Sequence, residues 1–156
     1  MSPTITNVDT DLDTTARLRA VIGRLSRLLR PTPTARAAGL SPTRISVLFT
    51  VVREGPIRLS DLAEAESINP TQLSRAIAQL VDAGLVERSA DEGDRRAAWL
   101  EPTAEGRKLT KRIRRERTDA LNVALEALDA DERERIIAAL SSLEHLADHL
   151  RPGARP

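Results

Sequence analysis

The chain has 156 residues, which is enough for one domain of ordinary size with a hydrophobic core. Hydrophobic residues make up 40% of it and aromatic residues only 1%, so the apolar positions are mainly Leu, Ala, Ile and Val, a mixture that favours helices. The absence of Cys excludes disulfides and thiolate metal sites, and the first thirty residues contain no apolar run of the kind found in signal peptides or membrane spans. These features predict a soluble, cytoplasmic protein that does not bind membranes.

The net charge of +1 conceals an uneven distribution. Seven of the eleven residues from Arg107 to Arg117 are Lys or Arg, whereas the stretch from Glu54 to Glu101 holds ten acidic residues against five Arg. This balance argues against a protein that binds polyanions over its whole surface. Any contact with nucleic acid must therefore be local.

Two helices are predicted in the first third of the chain. Residues 11 to 29 carry apolar side chains at helical spacing with arginines between them, and the prolines of RPTPT end that helix. Ser41 followed by Pro42 is typical of a helix N terminus, and Gly55-Pro56 ends the second helix.

The segment IRLSDLAEAESINPTQLSRAIAQLVDAGLVER predicts two short helices separated by a tight turn. Ser60 is suited to cap the first helix. Asn69 is suited to cap the second, with Pro70 behind it and Gln72 at the capping-box position, and Gly84 ends it. A helix, a turn and a second helix make a helix-turn-helix candidate.

After this motif the apolar residues no longer follow a helical spacing. Residues 85–88 and 97–100 predict two short strands. The loop that joins them is charged and contains the sequence DEGDRR. Thr103 is then suited to cap a long helix to about residue 129, and Asp131 with Glu134 predicts a capping box for a last helix that ends at residue 150.

The order of these elements predicts a mostly α fold with a small β-hairpin, a winged helix-turn-helix with N- and C-terminal dimerisation helices. Residues 1–35 would form an N-terminal tail and dimerisation helix, residues 36–102 the DNA-binding lobe, and residues 103–156 the C-terminal dimerisation helices of one intertwined unit. The apolar stripes within residues 18–28, 104–129 and 131–150 exceed what one small core can cover, so a homodimer is expected.

The polar face of the second helix of the motif carries side chains suited to DNA. Gln offers adenine a bidentate pair and Arg offers guanine one, so Gln72 and Arg75 are the expected base readers in a major groove. Thr71 and Ser74 suit phosphate contacts near the positive N terminus of that helix.

The charged loop between the strands would project as the wing. Arg95 and Arg96 are suited to a narrow minor groove, where negative potential is concentrated, and Asp94 would hold an arginine in position. The basic run that starts at Arg107 is either a phosphate-contacting surface or a solvated helix face. Further candidates for phosphate contacts in the chain are Ser41, Thr43, Arg44, Ser60, Arg107 and Lys108.

The segment DLAEAESINPTQLSRAIAQLVDAGLVERSADEGDRRAAWLEPTAEGRKL resembles the MarR family of winged-helix regulators. Its most specific part is the family's wing motif, carried here by Asp94, Arg96, Thr103 and Gly106, with Pro102 where the family has Leu. A Ser-Arg pair also stands where the family has a Thr/Ser-Arg pair, nine residues before the glycine that ends the second helix of the motif.

This resemblance implies a homodimer that binds a pseudo-palindromic operator in double-stranded DNA, usually as a repressor released by a small-molecule effector. In the family the effector sits between the dimer helices and the winged-helix lobe, which places Arg24, Leu28, Ile45 and Phe49 near it. The lack of Cys excludes the peroxide-sensing branch of the family.

Other classes of function fit the sequence less well. No set of nucleophile, base and orienting residue is visible and no Gly-rich phosphate loop, so no enzyme activity and no cofactor are predicted. His145 and His149 stand four residues apart, but two histidines alone do not predict a metal site. A winged-helix module for protein–protein interaction without operator binding stays open, and the acidic 54–101 segment is its best argument.

Overall fold

The computed structural model describes residues 6–90 and 98–150. Contacts divide the chain into two compact units, the first ending at Arg117 and the second beginning at Thr118. The described helices and strands, in chain order, are α1 (Thr6–Leu29), α2 (Pro33–Ala37), α3 (Pro42–Glu54), β1 (Ile57–Arg58), α4 (Leu59–Glu66), α5 (Pro70–Asp82), β2 (Val86–Ala90), β3 (Ala98–Pro102), α6 (Ala104–Glu126) and α7 (Ala130–His149).

The mostly α fold class with a small β-hairpin is confirmed. Strands β2 and β3 pair antiparallel from Val86 opposite Pro102 to Ala90 opposite Ala98, one or two residues later in the chain than predicted. The short strand β1 joins the other edge of β3 and makes the sheet three-stranded, in the order β1-β3-β2. Two residues are too few to show a strand period, which is why β1 was not predicted.

The first two helices differ from the prediction, because α1 begins earlier and α2 was not predicted. Helix α1 begins at Thr6 rather than near residue 11, since no Pro or Gly interrupts residues 6–22. Pro33 also begins a helix of its own, α2. The hydroxyl of Thr32 accepts a hydrogen bond from the Ala35 amide at 3.2 Å, and proline in the first turn loses no helical hydrogen bond.

The predicted capping box of the last helix is wrong by two residues. Asp129 caps α7 by accepting from the Glu132 amide at 2.7 Å, and the Glu132 carboxylate accepts in return from the Asp129 amide. Asp131 and Glu134 lie inside the helix. The spacing Asp-x-x-Glu occurs twice in this segment, so sequence alone does not select the frame. Helix α6 correspondingly ends at Glu126, before the predicted residue 129.

The core of the first unit lies between α3, α4, α5 and the sheet. Its largest buried side chains come from all of these elements and are Val47, Leu48, Val51, Leu62, Leu73, Ile77, Leu80, Val86 and Leu100. A second cluster of Ala35, Ile45 and Ile113 packs α6 against α2 and α3. Helix α5 contributes one buried face to this core.

The end of α5 is joined to the start of α6 through one threonine. Gly84 stops α5 with a positive φ of 67°, which glycine adopts without strain. The Thr103 hydroxyl donates to the Gly84 carbonyl at 2.7 Å and accepts from the Gly106 amide at 3.0 Å. Gly106 lies so close to Leu85 that a Cβ there would stand 2.1 Å from its carbonyl oxygen. Thr103 and Gly106 thus hold α6 against the base of the hairpin.

We expect Gly106→Ala and Gly23→Ala to change stability in opposite directions, although both glycines lie inside helices. Ala at position 23 meets only the Arg27 Nη1 atom, at 3.6 Å, and should raise the free energy of unfolding by about 0.5–1 kcal/mol. Ala at position 106 must displace the Leu85 backbone and should lower it by about 1–3 kcal/mol. Urea unfolding at equal protein concentration measures both changes. Stabilisation by both variants would show that α6 does not need this close approach.

Candidate nucleic-acid interface

Helix α5 begins with the cap that the sequence predicted. The Asn69 side chain accepts a hydrogen bond from the Gln72 amide at 2.9 Å, and Pro70 stands in the first turn. The apolar side chains that bury one face of α5 are Leu73, Ala76, Ile77 and Leu80. This burial fixes the rotation of the helix about its axis, so the opposite face is presented as a defined surface.

The exposed face of α5 carries all the residues predicted as DNA contacts on this helix. They are Thr71, Gln72, Ser74 and Arg75, and Gln79 continues the row one turn further. Hydroxyl, carboxamide and guanidinium groups on one exposed helix face can donate hydrogen bonds both to phosphate oxygens and to the acceptor atoms of bases.

The turn before α5 is short and tied to the core. Ser67 ends α4 in the left-handed conformation, with φ of 52°, and Ile68 follows it. The Thr50 hydroxyl donates a hydrogen bond to the Glu66 carboxylate, which fastens the end of α4 to α3. The position of α5 is thus set by its buried face and by this anchored turn.

The predicted cap of α4 is wrong. The residue at the cap position is Arg58, whose side chain makes no capping hydrogen bond, and Ser60 lies inside the helix with its hydroxyl donating to Asp61 Oδ1 at 3.0 Å. Because β1 runs directly into α4, the chain leaves no free position for a serine cap. Ser60 is exposed, so a phosphate role for it stays a prediction.

The other candidates for phosphate contacts differ in how free their side chains are. The Ser41 hydroxyl caps α3 and accepts from both the amide and the Nε of Arg44, so both side chains are engaged. Thr43, Arg107 and Lys108 are exposed, and Lys108 lies 3.6 Å from the Glu105 carboxylate. Within the described part of the chain these contacts engage Ser41, Arg44 and Lys108, and a phosphate role for any of the five residues stays a prediction.

Strands β2 and β3 fix the base of the predicted wing. The Arg58 guanidinium lies over the Trp99 ring, 5.0 Å from its centroid, and so links β1 to β3. The residues predicted as the wing contacts, Asp94, Arg95 and Arg96, lie outside the described residues. Their contribution stays a prediction from the sequence.

A cleft of about 1020 Å3 lies in the first unit. Ile45 and Phe49, two of the four residues predicted to lie near an effector, line it, whereas Arg24 and Leu28 do not. On α1 the lining consists instead of Ser26, Arg27 and Leu29. An effector role for any of these residues is untested.

Arg117 is the most buried cation of this cleft. It lies over the Phe49 ring, 5.3 Å from the centroid, and its Nη2 reaches the Arg30 carbonyl oxygen at 3.5 Å. Burial, helped by the charge of Arg30, lowers the pKa of the Arg117 guanidinium. Beside it, hydrogen bonds from Thr34 lower the pKa of the Glu116 carboxyl, which keeps that group ionised.

Two classes of site are not found in the described part of the chain. No group of three or more His, Asp or Glu side chains there is arranged to hold a metal ion, and His145 and His149 belong to no such group. Among the same residues no helix is both long enough and apolar enough to cross a bilayer.

Comparison with known proteins places the chain among transcriptional regulators. The model of the MarR family matches residues 40–98. An HTH-type transcriptional regulator of Mycobacterium tuberculosis is 31% identical over 141 residues, which cover 90% of this chain and 97% of that protein. The chain belongs to the MarR family. It is a DNA-binding transcriptional regulator with a winged helix-turn-helix, in a family of regulators rather than of enzymes.

Solved structures of MarR regulators share this fold. The multiple antibiotic-resistance repressor of Listeria monocytogenes superposes with a TM-score of 0.70 at 19% identity, covering 92% of this chain and 99% of that one. A mutant of S. aureus MepR, solved bound to an oligodeoxyribonucleotide, superposes with a TM-score of 0.63 at 15% identity, covering 86% and 97% of the two chains. At these identities the likeness concerns the fold alone.

Sequence reasoning treated the basic run of this MarR-family chain as one surface and so missed Arg117. The signal was present in the spacing, because Gly106, Thr110 and Ile113 are buried and Arg117 continues that row by one more turn. Arg117 therefore belongs to the inner face of α6, whereas Arg107, Lys108 and Lys111 belong to the outer face.

Proposed function

We propose that this regulator binds a pseudo-palindromic operator as a homodimer, represses transcription from it, and is released by a small-molecule effector. The observation that carries the proposal is the exposed row of Thr71, Gln72, Ser74 and Arg75 on α5, held in place by a fully buried opposite face. The oligodeoxyribonucleotide bound to S. aureus MepR supports DNA as the partner of this fold.

The chemistry of α5 assigns separate roles to its side chains. Arg75 pairs with guanine O6 and N7, and Gln72 pairs with adenine N6 and N7, so these two residues read bases. Thr71 and Ser74 donate hydrogen bonds to phosphate oxygens and set the register of the helix in the groove. Arg95 and Arg96 extend the contact into the neighbouring minor groove.

The apolar faces that the single chain exposes support the proposal of a second copy. No residue of the 20-residue helix α7 is buried, although it carries Ile136, Ile137, Leu140, Leu143 and Leu146. Helix α1 likewise exposes Leu18, Val21, Ile22 and Leu25. Apolar stripes of this length are stable in water only when they are covered, and a homodimer covers them symmetrically. Two copies would also present α5 to successive major grooves, about 34–36 Å apart.

Arg75→Ala should weaken binding to the operator by about 1–3 kcal/mol and relax the preference at one base pair. Fluorescence anisotropy with a duplex from the region upstream of the protein's own coding sequence measures the loss, and a scrambled duplex and two salt concentrations accompany it. Arg53→Ala is the matched control, because it removes the same charge from an exposed arginine that lies on α3 and is paired with Glu54. Equal losses on operator and scrambled DNA would make Arg75 a phosphate contact and refute base reading.

Arg96→Ala should weaken DNA binding while the oligomeric state is unchanged, because the sequence assigns Arg96 to the predicted wing, whose proposed partner is the minor groove. Arg88→Ala, on the exposed face of β2, is the control for the change in charge. Anisotropy and analytical ultracentrifugation measure the two properties. An unaltered affinity of the Arg96 variant would exclude the wing from recognition.

Leu140→Asp should dissociate the dimer, and Ser142→Asp should leave it intact. Leu140 is 50% exposed in the single chain and stands in the apolar stripe of α7, whereas Ser142 lies about 200° further around the helix. Sedimentation velocity over a range of concentrations distinguishes the two outcomes. A monomeric parent protein, or an unaffected Leu140 variant, would contradict the dimer through α7.

A further inference from the structure

The outer face of α6 carries a basic strip of five exposed cations. They are Arg107, Lys108, Lys111, Arg112 and Arg115. Each of them has at least one other as its neighbour three or four positions away, and like charges at these spacings destabilise a helix. A helix face that is merely solvated alternates the signs of its charges instead. The strip therefore indicates a surface that meets an anionic partner.

The basic strip lies opposite the buried face of α6. Gly106, Thr110 and Ile113 are the buried residues of this helix. Lys111 and Arg115 each stand two positions from Ile113, which places them about 200° around the helix from it. The charges of the strip therefore point away from α3, against which Ile113 packs.

The basic strip and the exposed row of α5 lie on different sides of the first unit. Val47 of α3 belongs to the cluster that also holds the buried face of α5, whereas Ile45 of α3 packs with Ile113 of α6. Positions 45 and 47 point about 200° apart on a helix. Helices α5 and α6 thus pack on largely opposite sides of α3, and their outer faces point apart. A straight duplex that lies along α5 does not pass along the strip.

The arrangement of the charges favours duplex DNA as the partner. The strip is about 12 Å long, and one DNA strand presents about three or four phosphates over that length. The chain belongs to a family of DNA-binding regulators, so DNA is a polyanion that it meets.

Two other anionic partners fit the basic strip less well. A helix binds a bilayer surface by burying an apolar face in it, but the face of α6 opposite the strip is buried against α3. The acidic residues of segment 54–101 on a second copy are spread over α3, α4, α5 and the sheet, whereas phosphates form a continuous row.

We propose that the basic strip binds the phosphate backbone of a second DNA duplex, without sequence preference, while α5 holds the operator. The regulator then bridges two DNA segments. This contact goes beyond the proposed operator complex and rests on it only for the bridging. Because it depends on charge and not on base edges, it is reversible and strongly dependent on salt.

Bridging is measured with two duplexes. A biotinylated operator duplex is immobilised and saturated with the full-length protein, and capture of a fluorescent duplex of scrambled sequence is followed at about 50 and 200 mM salt. The scrambled duplex should be captured at the lower salt and at least about tenfold less at the higher salt, with the protein still on the operator. Operator binding without capture at about 50 mM would overturn the second contact.

Three double variants locate the contact. Arg107→Gln with Lys111→Gln should bind the operator within about twofold of the parent protein, capture the scrambled duplex at least about tenfold more weakly, and lower the salt slope by about two. Arg107→Lys with Lys111→Arg keeps both charges and should capture as the parent does. Arg36→Gln with Arg53→Gln is the control, since it removes two charges from exposed residues of α2 and α3. Equal losses in the control and in the Gln variant of the strip would refute the strip as the binding surface.

Sedimentation without DNA tests a second copy as the partner. The parent protein should sediment as the same species at about 50 and 200 mM salt. Association beyond the dimer at the lower salt, lost in the Gln variant of the strip, would overturn the assignment to DNA.

Failure of the proposed function is distinguished by direct titration of the scrambled duplex. Absence of operator binding would refute the proposed function itself. The strip would still be tested, because the Gln variant should lower the salt slope for the scrambled duplex by about two. An unchanged slope would refute the strip.

Discussion

The architecture depends on the hydroxyl of Thr103, which donates to the Gly84 carbonyl and accepts from the Gly106 amide. This group pairs with the carbonyl of Gly84, just after α5, and with an amide in the first turn of α6, which the helix itself leaves unpaired. The two hydrogen bonds of the Thr103 hydroxyl form only because Gly106 allows α6 to approach the Leu85 backbone. Helix α5, the base of the hairpin and the start of α6 are thereby fixed to one another, so a displacement of any one of them is opposed by the other two.

The contact of Thr103 with Gly84 and Gly106 fixes the C-terminal end of α5, and the turn of residues 66–68 fixes its N-terminal end. The two ends are held by different kinds of contact. Gly84 is followed by strand β2 and the Thr103 contact, whereas the turn is held through Ser67, in a conformation that non-glycine residues rarely adopt, and through the Glu66 bond to Thr50. The N-terminal end of α5, where Gln72 and Arg75 stand, is thus held through a turn rather than through a strand.

Several helix ends were predicted correctly because the local sequence signal allowed only one position for them. Ser41 and Asn69 were found as caps because a proline follows each of them, and Gly84 as the end of α5 because the apolar period stops there. The prediction failed where a signal had two frames, as at Asp129 and Asp131, or where an element was too short to have a period, as in β1. Of the four residues predicted to lie near an effector, only Ile45 and Phe49 line the cleft, which is built by residues distant in sequence. Arg117 contacts Phe49 across 68 positions of the chain (117 − 49), and such pairing is decided by packing rather than by local preference.

The charge balance of residues 54–101 bears on how the proposed DNA binding would gain specificity. Between Glu54 and Glu101 acidic residues outnumber arginines two to one, so this segment should attract phosphates only weakly. In the proposed complex, base contacts by Arg75 and Gln72 would then supply a large share of the operator affinity, and the proposed dimer would supply them twice in one binding event. Loss of these base contacts would leave few phosphate contacts to retain the DNA. The same charge balance that argues against general polyanion binding therefore fits the proposed regulator, whose affinity would be lost when an effector binds.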